Sequence, residues 1–307
     1  MRYLTALLLL CTACNTKTDP GVKPKARVAV SIFPLFDLAR RVAGDRLDVV
    51  LVLPPGRSEH SYDPTPKEMA KVADAKLGVS VGLQMDEWLE RIVKGAAGQG
   101  VTIVQLGPKL NPRKMTHDEV GDEAADEARP AGEAEHHHGP QDPHFWLDPV
   151  RTQQAVDLLV DAFTTLDKEG AAGFRQRGDA IKASIATLHQ SIEARVKTWT
   201  HKTIVTFHGS MGYYAERYGL TIAAVIEPFP GREPTAKYLT EVLAALKKTN
   251  TVALFSEPQL EKRPAQVIAD QAKVKLFEID PVGGTAGVDT YEKLLGHDTD
   301  VLEQALK

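Results

Sequence analysis

The stretch from Phe174 to Trp199 reads FRQRGDAIKASIATLHQSIEARVKTW. Its apolar side chains recur every three or four residues, a spacing that places them along one face of an α-helix. They are Ile181, Ile185, Leu188, Ile192, Val196 and Trp199. At a rise of about 1.5 Å per residue, such a helix runs roughly 40 Å, the height of a small domain. The pattern therefore predicts a long helix that joins two halves of the molecule.

Short runs rich in β-branched residues alternate with helical segments on both sides of this stretch. The strand candidates are Arg27–Phe33, Asp48–Leu53, Leu77–Val81 and Thr102–Leu106 before it, and Thr203–Phe207, Thr221–Ile226, Thr251–Phe255 and Lys275–Ile279 after it. This alternation is typical of parallel sheets with helices on both faces. We therefore expect an α/β fold of two lobes with mostly parallel central sheets flanked by helices, joined by a long rigid backbone helix.

The length and composition of the chain agree with two lobes and exclude several functions. A chain of 307 residues exceeds the usual size of one domain, and 43% hydrophobic residues can form substantial cores. A net charge of −4 provides no general attraction to nucleic acid. After the N-terminal segment, the sequence has no membrane-length apolar run and no phosphate-binding P-loop.

The N-terminal segment has the features of a secretory leader. Its apolar run ends at Ala13 and is too short to span a bilayer as a stable helix. The end of the run, Leu10-Cys11-Thr12-Ala13-Cys14, resembles a bacterial lipoprotein signal, which implies that Cys14 is lipidated and anchors the mature chain to a membrane. A Cys-x-x-Cys redox or metal pair is the alternative interpretation. We expect a signal segment at 1–14 and a flexible tether at 15–26.

An acidic window extends from Met115 to Pro140. It contains eight acidic residues against the single base Arg129, which gives a local net charge of −7. Because it has hardly any large apolar side chain, we expect it to be a mobile loop. It is either a merely solvated acidic insert or a weak metal-binding loop that uses its four histidines, His117, His136, His137 and His138.

Four potential metal ligands lie at corresponding places in the predicted topology. His60 is in the loop after the second strand, His208 and Asp280 directly follow strands of the second half, and His144 precedes the connecting helices. Ligands of open parallel sheets bind outside the carboxyl ends of the strands, so these residues are expected to meet between the lobes. Three imidazoles and one carboxylate suit a tetrahedral Zn²⁺, whereas Mg²⁺ and Ca²⁺ prefer oxygen ligands.

Other polar residues near these four have secondary roles in this interpretation. Glu59 is either a competing oxygen ligand beside His60 or an acceptor that orients an imidazole. Glu257 and Asp148 are further candidates for orienting an imidazole. We expect no metal-binding role for the remaining histidines, His189, His201 and His297.

Several short motifs closely resemble those of the zinc-binding solute-binding lipoproteins of bacterial ABC importers. They are Glu59–Pro64 (EHSYDP), Asp142–Pro149 (DPHFWLDP), Phe207–Gly209 (FHG), Phe255–Gln259 (FSEPQ) and Asp280-Pro281. The resemblance covers nearly the whole mature chain, and the acidic window is similar to the loop of the zinc branch. It implies metal ligands at positions His60, His144, His208 and Asp280. Manganese-binding members typically carry Glu where His208 stands, so imidazole there favours zinc.

The resemblance also implies a function without catalysis. It implies a monomeric receptor on the periplasmic or extracytoplasmic face that carries Zn²⁺ as transported ligand to an ABC permease and ATPase. The expected divisions are an N-terminal lobe at 27–148, connecting helices at 149–200 with the backbone helix at 174–199, and a C-terminal lobe at 201–307.

Three alternative functions remain open. They are a manganese- or iron-binding receptor of the same importer class, a surface adhesin or scaffold stabilised by metal, and a zinc-dependent hydrolase with Glu59 as general base. Catalytic zinc keeps an exchangeable position, which Asp280 as fourth ligand would close.

Overall fold

The structure is a computed structural model that describes residues 25–120, 141–228, 230–231 and 234–307. Within these residues, the chain forms two four-stranded parallel sheets. The first sheet has the order β2 (Asp48–Leu51), β1 (Arg27–Val30), β3 (Ala75–Ser80), β4 (Thr102–Gln105). The second has the order β6 (Thr221–Val225), β5 (Thr203–Thr206), β7 (Ala253–Ser256), β8 (Lys275–Glu278).

Helices connect the strands and flank both sheets, which confirms the predicted α/β fold class. In the first half they are α1 (Phe33–Ala43), α2 (Pro66–Lys71), α3 (Glu87–Ala97) and the short α4 (His117–Val120). In the second half they are α7 (Gly212–Tyr218), α8 (Ala236–Thr249), α9 (Arg263–Ala272) and α10 (Tyr291–Leu306). Between the halves lie α5 (Pro149–Leu166) and the long α6 (Ala171–Val196).

The strand order places the carboxyl ends of the strands around a crevice in each sheet. The chain adds β2 on one side of β1 and then returns to place β3 on the other side. The second sheet repeats this arrangement around β5. Loops that leave such a switch point diverge and leave room for a ligand between them. The crevices therefore lie where the predicted ligands follow their strands.

Helix α6 is the long connecting helix that the apolar spacing predicts, displaced by three residues toward the N-terminus. It has 26 residues, and its buried face includes Ile181, Ile185 and Ile192. A side chain at Gly178 would approach Val160 of α5 too closely, so the glycine allows the two helices to pack against each other. The main apolar core runs without interruption from the first sheet through α5 and α6 to α10.

Helix α10 was missed by the strand and helix patterns of the sequence. Charged and polar residues lie between its apolar side chains, so the stretch around His297 resembles a polar C-terminal segment. Leu294, Leu295 and Leu302 are nevertheless fully buried, because their spacing of one, seven and eight positions keeps them on one helical face. The side chain of Thr290 caps the helix by accepting a hydrogen bond from the backbone N–H of Lys293.

The described residues at the two ends of the acidic window pair with each other. Lys114 and Gln141, on either side of it, form an antiparallel bridge, and the backbone N–H of Asp142 donates to the carbonyl oxygen of Arg113. Within the described part of the chain, no helix is both long and apolar enough to cross a membrane.

Candidate metal centre

Glu59 and His60 are held by contacts with the first half of the molecule. They lie in the loop after β2, where the indole N–H of Trp88 donates to the carbonyl oxygen of Glu59 at 2.9 Å. The backbone N–H of His60 donates to Ser58 Oγ at 3.3 Å. Both side chains are buried, so the loop directs them away from solvent.

His144 precedes a short 3₁₀ turn, Phe145–Leu147, that is fixed by the second half of the molecule. The indole N–H of Trp146 donates to the carbonyl oxygen of Pro281 at 2.7 Å. The hydroxyl of Tyr291 donates to the carbonyl oxygen of Trp146 at 2.8 Å. His144 is therefore attached to the C-terminal part of the fold, although it precedes the connecting helices in the sequence.

His208 lies two residues after β5, in an extended conformation that begins a 3₁₀ turn. The hydroxyl of Thr206 donates to the carbonyl oxygen of His208 at 2.8 Å and stabilises this change of direction. Glu257 follows the neighbouring strand β7, and its Oε1 accepts a hydrogen bond from the hydroxyl of Ser210 at 2.9 Å. The parallel pairing of β5 and β7 thus brings Glu257 beside His208.

The three imidazoles meet in the interior. The Nε2 atom of His208 lies 3.3 Å from that of His60 and 3.2 Å from that of His144. Glu59 completes the group, and the ligand atoms of all four residues lie within 4.8 Å of one another. Four ligands at about 2.0–2.1 Å from a tetrahedral cation are about 3.3–3.4 Å apart. The imidazole spacing therefore fits a single tetrahedral metal ion.

Two carboxylates orient the outer nitrogens of these rings. Nδ1 of His144 lies 2.8 Å from Oδ1 of Asp142, and Nδ1 of His208 lies 2.8 Å from Oε2 of Glu257. The second contact is short but lacks hydrogen-bond geometry, so Glu257 acts on His208 mainly through its charge. With the proton on Nδ1, each ring presents an unprotonated Nε2 to a metal. Asp142 is a partner of His144 that the sequence analysis did not identify.

The pKa values of the group show how its charges interact. Burial raises the pKa of Glu59, but the charge and hydrogen bond of His60, together with the charge of His208, lower it to about 2. Burial, together with the nearby His208 and His60, lowers the pKa of His144 well below its usual value. Burial also lowers the pKa of His208, but the charges of Glu257, Glu59 and Glu227 together outweigh burial and raise it. The group therefore contains an ionised Glu59 and a neutral His144 at neutral pH.

Asp280, predicted as the fourth ligand, is not part of this group of four. It lies two residues after β8 and is buried, but its Oδ1 accepts hydrogen bonds from Gln259 Nε2 at 2.5 Å and from the backbone N–H of Gly283 at 2.8 Å. Its own backbone N–H donates to Asp298 at 2.7 Å. The position of a residue after a strand does not define the direction of its side chain, and these local donors hold the carboxylate of Asp280.

Asp148 and the histidines without a predicted metal role lie outside the group. Asp148 caps α5 and forms ion pairs with Arg151 and Arg217, so it does not orient an imidazole. Nδ1 of His189 lies 3.1 Å from the hydroxyl of Tyr218, while His201 and His297 are exposed. His117 begins α4. The remaining predicted sites, Cys14, His136, His137 and His138, lie outside the described residues.

Two parallel β-sheets flanked by helices, with a buried cluster of three histidines and one carboxylate, define a metal-binding solute-binding protein. The family described as zinc-uptake complex component A, periplasmic, matches residues 28–305, and the chain belongs to this family. It is a family of transport proteins and not of enzymes.

Known relatives and solved structures agree with this family. The chain is 26% identical over 283 residues to the zinc-binding lipoprotein AdcA of Streptococcus pneumoniae, covering 92% of this chain and 54% of AdcA. It thus spans about half the length of the curated relatives that it first matches. A crystal structure of ZnuA shares the fold with a TM-score of 0.78 at 22% identity, covering 92% of this chain and all of that chain.

The same fold occurs in a protein whose structure contains manganese. A manganese-bound periplasmic metal-binding protein from Candidatus Liberibacter asiaticus has a TM-score of 0.76 at 18% identity, covering 92% of this chain and all of that chain.

Proposed function

We propose that this protein is an extracytoplasmic receptor that captures Zn²⁺ as its cargo and delivers it to an ABC permease and ATPase. The observation that carries the proposal is the buried group of Glu59, His60, His144 and His208, whose ligand atoms lie within 4.8 Å of one another. Membership of a zinc-uptake family supports the same role.

The composition of the group supports zinc over manganese. Imidazole nitrogen is a good ligand for Zn²⁺, whereas Mn²⁺ is better served by carboxylate, carbonyl and water oxygens. Three of the four groups are imidazoles, and their Nε2 spacing fits a tetrahedral ion. The single carboxylate carries one negative charge and therefore offsets one of the two positive charges of the cation. We infer that Glu59 is the fourth ligand and that Asp280 has a supporting role in its own loop.

The wider organisation of the chain is part of the proposal. We propose that 27–148 and 201–307 are two lobes that 149–200 connects, and that the mature chain is monomeric and anchored through Cys14. The name of AdcA as a lipoprotein supports the anchor. The anchor would keep the receptor close to the permease at the outer face of the membrane.

Substitution of one imidazole tests the proposed site. We expect His208→Ala to weaken zinc binding by about a hundredfold or more, because it removes one of four ligands from a buried ion. His189→Ala is the matched control, since His189 is a half-buried histidine that contacts Tyr218 and is not in the metal group. Competition titration against a chromophoric chelator measures both affinities. Equal affinities in the two variants would contradict the site assignment.

A further inference from the structure

Arg113 lies at the base of the acidic window and is almost fully buried. Only 11% of its side chain is exposed, and two buried carboxylates face its guanidinium. Its two terminal nitrogens donate to the two oxygens of Glu119 at 2.8 and 2.9 Å, and Nη1 also donates to Oδ2 of Asp142 at 2.7 Å. Its Nε donates to the exposed Glu216 at 3.1 Å. A single guanidinium therefore joins two buried carboxylates.

Residues at the start of α7, in the second half of the molecule, pack around this arginine. The guanidinium lies over the ring of Tyr213, 5.8 Å from its centroid. The hydroxyl of Tyr213 accepts from the backbone N–H of Arg113 and donates to the carbonyl oxygen of Asp142. At Gly212, any side chain would overlap the guanidinium of Arg113 and the carboxylate of Glu119. The start of α7 is therefore shaped around Arg113.

Asp142 connects this arginine to the metal centre. Its Oδ1 lies 2.8 Å from Nδ1 of His144 and accepts from the backbone N–H of His144 at 2.9 Å. Its other oxygen, Oδ2, accepts from Arg113. Because Arg113 occupies Oδ2, the carboxylate cannot rotate without breaking a charged hydrogen bond. The direction of the His144 ring therefore depends on Arg113.

We propose that Arg113 is a positioning residue of the metal centre, which holds Asp142 so that Nε2 of His144 points at the bound cation. The inference rests on the proposed function, because it assumes that His144 binds the metal. Glu119, in the acidic window, fixes the other side of the same guanidinium. The first turn of the window thus supports the metal centre, in addition to any role of its histidines.

Zinc affinity of two arginine variants tests the proposal. Arg113→Met is expected to raise the Kd for zinc by about 10- to 100-fold, the usual effect of losing a partner that orients a metal ligand. Arg151→Met is the matched control, because Arg151 also lies over Tyr213 and is mostly buried, but donates to Asp148. It is expected to bind zinc as the parent chain does. An unchanged Kd in Arg113→Met would overturn the proposal.

Two further measurements separate positioning from a contribution to folding. The absorption spectrum of bound Co²⁺ reports ligand geometry, and we expect it to change at saturation in Arg113→Met and not in Arg151→Met. If Arg113 acts through Asp142, the double variant with Asp142→Asn should bind zinc no more weakly than Asp142→Asn alone. Additive losses in the double variant, or an unchanged Co²⁺ spectrum, would assign Arg113 a purely structural role.

A second variant covers the case in which Arg113→Met does not fold. Arg113→Lys keeps the charge but loses the planar fork that binds two carboxylates, so an intermediate loss of zinc affinity is expected. A parent-like Kd in Arg113→Lys, when Arg113→Met does not fold, would overturn the proposal. Failure of the parent chain itself to bind zinc would instead contradict the proposed function.

Discussion

Glu59 and Asp280 are the two carboxylates that compete for the fourth position of the metal centre. Glu59 Oε1 lies 3.4 Å from Nε2 of His60, within the buried group, whereas local donors hold Asp280. The backbone oxygen of Glu59, and not its side chain, receives the hydrogen bond from Trp88. A substitution at Glu59 therefore changes the proposed ligand and leaves the anchor of the loop in place.

We predict that Glu59→Gln weakens zinc binding by about tenfold or more, because an amide oxygen is a poorer ligand than a carboxylate. Asp280→Asn serves as the comparison and is expected to have the smaller effect. Competition titration at one pH ranks the two variants. A larger loss in Asp280→Asn would show that Asp280 replaces Glu59 when the metal binds.

We expect Glu257 to affect the pH dependence of zinc binding. Burial lowers the pKa of His208, but the charges of Glu257, Glu59 and Glu227 together raise it above its usual value, so protons compete with zinc for this imidazole at a higher pH than for an ordinary histidine. Zinc affinity should therefore fall as pH decreases from about 8 to 6, through the histidine range. In Glu257→Gln, the largest of these charges is lost, so we expect the pKa of His208 to fall. Competition from protons then begins at a lower pH, so zinc affinity should depend less on pH over this interval.

Calorimetric titration in buffers of different ionisation enthalpy counts the protons that zinc releases at each pH. We expect Glu257→Gln to release fewer protons than the parent chain at pH 7. The same proton count in both proteins would contradict the role assigned to Glu257.

At the scale of the elements, a buried carboxylate joins α1 to α10. Asp37 is fully buried and accepts from Arg40, Arg41 and the backbone N–H of Tyr291, at the start of α10. Arg41 also forms a bidentate ion pair with Glu292. The first helix of the described chain is thus fixed to its last helix.

We predict that Asp37→Ala lowers the free energy of unfolding of the metal-free protein by about 3 kcal/mol, because it leaves buried donors without an acceptor. Asp289→Ala is the control, since Asp289 is an exposed residue paired with Lys293 and should have little effect. Urea denaturation followed by circular dichroism measures both variants. A similar small loss in each would show that the link between α1 and α10 does not stabilise the fold.

Side-chain periodicity in the sequence predicted the strands and helices well. It did not predict where single side chains point. The strands and α6 follow from β-branched runs and apolar spacing, because burial of one face imposes those patterns. Asp142 escaped notice, because its role depends on Arg113 and Tyr213, which are distant in sequence and meet only in the folded chain. The choice between Glu59 and Asp280 likewise depends on local hydrogen bonds that spacing does not encode.

At the scale of the whole molecule, the metal centre is divided between two sides. Glu59 and His60 are attached to the first half through Trp88, whereas His144 and His208 are attached to the second half through Pro281, Tyr291 and β5. Separation of the two sides would divide the ligands into two pairs, and neither pair alone completes a tetrahedral site. Release of the metal should therefore accompany a movement of one half relative to the other.

The selectivity of the centre between zinc and manganese is the most direct test of the proposed function. The purified full chain is titrated with each metal in competition with the same chelator, and its bound metal is counted by elemental analysis. We predict one Zn²⁺ per chain, bound about a hundredfold or more tightly than Mn²⁺, because three of the four ligand atoms are imidazole nitrogens. Binding of Mn²⁺ as tight as that of Zn²⁺, or no stoichiometric zinc, would contradict this account.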